Sequence, residues 1–134
     1  MTADTQDILF RSFEDHCLDP AGFKHREHVI VAYLMLRKYD FPEAVSRYTG
    51  NVRAIATRAG AASKFNMTIT IAFISLIAER MQTASHHSVK DFLTRNHDLL
   101  RSDLLKKWYS DERLQSELAR HSFLMPDIGG TAHA

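Results

Sequence analysis

Apolar residues are spaced along the chain so as to divide it into helices with short polar breaks, and one stretch stands apart from the rest. From Phe65 to Ala78, FNMTITIAFISLIA, fourteen residues pass without a charge. Wound at 3.6 residues per turn, their apolar side chains point in every direction, so the segment needs cover on all sides. It is too short to span a membrane, which takes roughly 18 or more apolar residues, so its surroundings must be protein. The pattern predicts one buried central helix over about 66–82. Thr68-Ile69-Thr70-Ile71 alternates as a half-buried strand does, but the run continues through Phe73, Ile74, Leu76, Ile77 and Met81, beyond the length of a typical strand. Asn66 is placed to cap it, its amide oxygen accepting from a first-turn N–H.

The flanking segments show the one-sided spacing of helices that cover such a core. Ile8, Leu9 and Phe13 predict a first helix from about Thr5 to Cys17, ended by the turn residues Asp19-Pro20-Ala21-Gly22. Val29, Ala32, Tyr33, Leu36 and Tyr39 predict a second, from His25 to Tyr39. A third runs from Pro42 to Gly60, with Pro at its first turn, Gly50 as a weak point and Gly60 as its stop. After a polar connection at Ala84–Ser88, Val89, Phe92 and Leu93 begin a helix that breaks near Asn96-His97-Asp98 and resumes through Leu104 and Trp108. Ser110-Asp111-Glu112 then caps a last helix whose apolar side is Leu114, Leu118 and Phe123. The fold class expected is all-α: a compact bundle of six or seven helices around the buried one. The 134 residues form a single globular helical domain with a loosely held tail from about 127.

Composition removes several function classes. The 17 basic and 16 acidic residues nearly cancel, and no helix clusters Arg and Lys, so neither nucleic acid nor a membrane surface is an expected partner. Cys17 is the only cysteine, which excludes an internal disulfide framework and suits a reducing compartment. The first residues, MTADTQDILF, lack the basic and apolar regions of a secretory signal. The expected location is the cytoplasm.

The chemistry candidate is His25-Arg26-Glu27-His28, at the start of the second helix. Residues three apart share a helical face, so His25 and His28 can reach one metal ion or one substrate. Imidazole suits a divalent transition metal, but a site takes at least a third ligand, and neither HEXXH spacing nor a CXXC pair is present. The pair can equally serve as acid and base without a metal, or simply pack at a helix start. Asn66, Thr68 and Thr70 either line a site or satisfy backbone groups at the head of the central helix. Glu79-Arg80 reads as the point where that helix reaches water, and Trp108-Tyr109 as core or rim packing.

Three motifs carry a resemblance. F-x-H-x-x-H-V at Phe23 to Val29, K-F-N-x-T-x-T at Lys64 to Thr70, and YS followed by AR-x-x-F-x-x-PD between Tyr109 and Asp127 resemble a group of small uncharacterised bacterial helical proteins with no named activity. In that group a His-Glu pair stands where this chain has Asn66-Met67. The resemblance implies three histidines at one site in the group. The departure at Asn66 means that it supports a shared pocket here more than a shared ion.

The resulting expectation is a small soluble enzyme acting on a small organic molecule in a pocket between the second helix and the head of the central one. His25 and His28 would be the catalytic groups, as metal ligands or as acid and base, in a lyase, isomerase or cyclase type of reaction. Tyr33, Asn66 and Thr70 would bind the substrate. The alternative is a non-catalytic helical module that binds a ligand or another protein chain, as a homodimer.

Overall fold

Short polar side chains set where the helices begin. Thr2, Asp40, Asn66, Ser88, Ser110 and Ser116 each accept a hydrogen bond from the backbone N–H three residues on, and each such cap is worth about 1 kcal/mol. The helices they start are α1 (Ala3–Glu14), α3 (Phe41–Arg58), α4 (Met67–Thr83), α5 (Val89–Arg95), α6 (Asp111–Leu114) and α7 (Glu117–His121). The remaining helix, α2 (His25–Lys38), begins without a side-chain cap of this kind; the Glu27 carboxylate instead accepts from the Lys24 N–H at 3.0 Å. Short 3-10 turns at Pro20–Gly22, Ala62–Lys64, His97–Leu100 and Leu104–Lys107 make the connections. This computed structural model describes residues 2–129, which contain no strand and no helix long and apolar enough to cross a membrane. The fold is all-α, as the spacing predicts.

The centre is shared by two helices. α4 packs against α2, α3 and α7, burying Phe73, Ile74 and Ile77, with only Glu79 exposed before its last turn. Yet cover on every side is more complete for α2, where Val29, Ile30, Val31, Ala32 and Tyr33 are all buried. Five consecutive residues at 100° each sweep the whole circumference. Charges at Arg26, Glu27, Arg37 and Lys38 hide this in the sequence, because they fall at the two ends of α2 and leave its middle apolar.

Several boundaries differ from those expected. α1 stops at Glu14 because His16 takes a left-handed backbone (φ 60°), which breaks the helix before Cys17. α3 ends as predicted, with Gly60 at φ 72°. Beyond α5, the resumed apolar spacing through Leu104 and Leu105 builds two 3-10 turns rather than a second α-helix. The expected last helix is two, because Ser116 accepts from the Ala119 N–H and restarts the winding. The new register buries Ala119 and leaves Leu118 and Phe123 exposed, so these two do not form the apolar side.

The segment after α7 is bonded to the bundle. Thr68 donates to the Ser122 carbonyl (2.6 Å) and accepts from the Leu124 N–H (3.1 Å), while the Tyr109 hydroxyl donates to the Leu124 carbonyl at 2.8 Å. The start of the tail expected to be loose is held too: the Asp127 and Ile128 N–H groups donate to the Trp108 carbonyl, and the Asp127 carboxylate accepts from the Ser110 N–H and hydroxyl. The residues after 129 lie outside the described ones.

Candidate functional site

The turn Pro20–Gly22 delivers Phe23 to the start of α2, where its ring stacks on His28 with centroids 4.0 Å apart and planes 25° from parallel. Phe23 stacks in turn on Phe13 of α1 (5.5 Å), which meets Tyr48 of α3 at 5.9 Å. His28 is thus the end of an aromatic column drawn from three helices and a turn. Burial pushes its pKa down from 6.5 to about 4, with repulsion from His25 adding to the effect and the Phe23 backbone pulling weakly the other way. The ring is uncharged at neutral pH.

His25 is held from the other side. Its Nε2 lies 2.9 Å from the Leu99 carbonyl oxygen, and its ring meets Phe73 edge-on at 4.9 Å. A carbonyl oxygen only accepts, so Nε2 carries the proton and, in the neutral ring, Nδ1 is left as an acceptor. Leu99 sits in the 3-10 turn His97–Leu100, which Arg80 pins by forking onto both Asp98 carboxylate oxygens at 2.9 Å and reaching Asn96 at 3.1 Å. Arg80 therefore does not simply mark where α4 meets water, as its sequence position suggests. Its hydrogen bonds hold the Asp98 carboxyl below the ordinary range and fix the turn that orients His25.

Arg80→Met tests this chain of contacts. With the two side chains 26% and 34% exposed, the fork is worth only about 1 kcal/mol, so a loss of that size is expected in urea unfolding. The more telling readout is the His25 ring nitrogen signal in NMR, expected to move while that of His86 stays in place.

Both histidines line a cavity of about 440 Å³ between the start of α2, the second half of α3 and the first half of α4. Its deepest wall is apolar, formed by Val29, Ile55, Phe73 and Ile77, all buried; Lys64 and Ser102 stand at its exposed edge. Asn66 and Thr70 also line it. Their polar groups are already engaged: Asn66 Oδ1 accepts from the Ile69 N–H (2.9 Å), its Nδ2 donates to the Leu114 carbonyl (2.7 Å), and the Thr70 hydroxyl donates to the Asn66 carbonyl (2.8 Å). Thr68 is spent on the segment after α7 and does not line the cavity.

Four of the five site residues expected from the sequence thus meet at one cavity, and Tyr33 does not. Its ring is buried against Phe92 (5.0 Å) and His86 (5.3 Å), and its hydroxyl accepts from Arg37 at 3.1 Å. The expectation made it a substrate-binding residue, but its face of α2 meets α5. No group of three or more His, Cys, Asp or Glu side chains converges among the described residues, so the third ligand that the metal expectation requires is not found among them. Two imidazoles beside an amide and a hydroxyl that are already bonded fall short of the three protein ligands a zinc site takes.

Sequence reasoning missed the Leu99 carbonyl, a backbone group 74 residues from His25 that has no side-chain signature. It also missed the α3 wall of Tyr48, Val52 and Ile55, whose apolar stripe is visible but whose facing is not. Phe23, Lys64 and Phe65, by contrast, were within reach as members of the first two of the three quoted motifs. Comparison with known proteins gives no match to a family model, a curated protein or a solved structure.

Proposed function

We propose that the cavity binds a small organic molecule and that His28 acts on it as a general base. The observation that carries this reading is an imidazole lining an apolar cavity and uncharged at neutral pH, its ring fixed by stacking on Phe23. An unprotonated nitrogen is what proton abstraction needs, and a fixed ring spares the cost of orienting it. His25, anchored to Leu99, is the partner that takes or returns the second proton. Reactions that begin by removing a proton beside a carbonyl, in a lyase, isomerase or cyclase, use this pair without further donors.

The test is proton exchange. In D2O, wild-type protein is expected to introduce deuterium into at least one of a panel of small carbonyl compounds with acidic C–H bonds, followed by NMR. His28→Ala should slow that exchange about 100-fold, the usual contribution of a positioned base. Tyr33→Phe should leave it unchanged. Binding of the panel with no exchange above the His28→Ala background would sink the enzymatic reading.

A binding module is the second reading, and one observation favours it. Leu118, Phe123, Met125 and Ile128 are exposed on α7 and the segment after it, apolar surface of the kind that meets another chain, including a second copy. In that case, partner binding survives His28→Ala.

A further inference from the structure

We infer that the ligand of this cavity is a small organic acid with an apolar, preferably aromatic, body, seated ring-inward with its carboxylate at Lys64. The inference rests on the small-molecule reading above and adds the class of molecule. It follows from how polarity is layered across the lining.

The interior offers no charge. Val29 and Ile77 are 1% exposed and Phe73 is 7% exposed, so the depth of the cavity is sealed by hydrocarbon. The two histidines on its walls add flat rings: His28 is uncharged at neutral pH, and His25 has its Nε2 proton bound to Leu99. An ionised group placed there would lose its hydration with nothing to replace it. The body of the ligand must therefore be apolar. Phe23, Tyr48, Phe65 and Phe73 join the two imidazoles around the space, and flat rings meeting flat rings gain stacking or edge contacts beyond simple burial.

Charge enters only at the mouth, and with one sign. Among the described residues no Asp or Glu lines the cavity, and Lys64 is the one permanently charged residue that does. Lys64 forms no ion pair with a described residue and is exposed, so its ammonium is free to meet a ligand. Ser102, also exposed, adds a neutral hydroxyl to the lining. A cationic ligand would find no counter-charge anywhere in this lining. A carboxylate at the edge would find a cation while its apolar body filled the interior.

Three probes that differ only in the headgroup separate the possibilities: 1-naphthylacetate, its neutral amide, and 2-(1-naphthyl)ethylamine. Affinities would be taken from titrations of the wild-type protein, with shifts of the His28 and Phe73 ring signals marking occupancy of this cavity. The acid is expected to bind about three- to ten-fold more tightly than the amide, and the amine most weakly. Lys64→Met should reduce the affinity of the acid to that of the amide and leave the amide unchanged; the side chain is exposed, so the variant folds. Equal affinity of acid and amide, or an equal loss for all three probes in Lys64→Met, overturns the acid preference while the small-molecule cavity stands. Failure of all three to shift His28 and Phe73 at millimolar concentration overturns both.

Discussion

Between pH 6.5 and about 4 the protein is expected to lose as much as about 3 kcal/mol of stability through His28 alone. Above pH 6.5 the imidazole is neutral in both the folded and the unfolded chain and contributes nothing to the difference. As the pH falls below 6.5 the unfolded chain takes up a proton that the buried ring refuses, so stability falls with it. Below about 4 both states are protonated and the loss stops growing. The carboxylates of Glu14, Asp91, Asp98, Asp103, Glu117 and Asp127 are all held below their ordinary values of 3.8 to 4.5, so their contributions disappear mainly at lower pH. His28→Phe isolates the effect, since it keeps a flat ring on Phe23 but cannot titrate. Urea unfolding of both proteins at pH 7 and pH 4.5 should show the wild type losing about 2 to 3 kcal/mol more than the variant over that interval. Parallel losses would mean that His28 is protonated as readily in the folded protein as in the unfolded one.

Thr68→Val is the second large effect, expected to cost about 2 to 4 kcal/mol although it changes the shape of the side chain very little. Thr68 is fully buried, and its hydroxyl serves two backbone groups at once, the Ser122 carbonyl and the Leu124 N–H. Valine would leave both without a partner in a place water does not reach, and that desolvation, more than the lost bonds, sets the cost. Serine keeps the hydroxyl and loses only a methyl group, so Thr68→Ser should retain most of the stability. A Thr68→Val protein as stable as the wild type in urea would show that the segment after α7 is not held through this side chain. Hydrogen exchange at Leu124 reports the same contact directly.

The helices were legible wherever polarity repeats with the helical period or a small polar residue stands before an apolar run. Ser88, Asn66 and Gly60 end or begin helices where their chemistry predicts. Local rules failed where a single atom changed the winding, as at Ser116, and where apolar residues too few for an α-helix settled into 3-10 turns at Leu99 and Leu104. At the site, the histidine pair and Asn66 and Thr70 were legible because spacing along α2 and the head of α4 brings them to facing ends. What they do there was not. Whether an Asn amide is free for a ligand or committed to Leu114 depends on a residue 48 positions away, and no local pattern encodes that. Tyr33 shows the same limit, since turn-counting along one helix gives a direction but not the neighbour found in that direction.

The bonds that finish this cavity join parts of the chain that are made far apart in time. His25 is oriented by a carbonyl 74 residues later, and the head of α4 is clasped by Leu114, Ser122 and Leu124, 48 to 56 residues beyond their partners. Helices form locally and fast, whereas contacts of this span wait for a large loop to close. A chain emerging from the ribosome therefore carries α2, α3 and α4 before it has anything to aim His25 with or to hold the head of α4. The pocket reaches its working shape only when almost the whole described chain is present, so its completion reports that synthesis has passed Leu124.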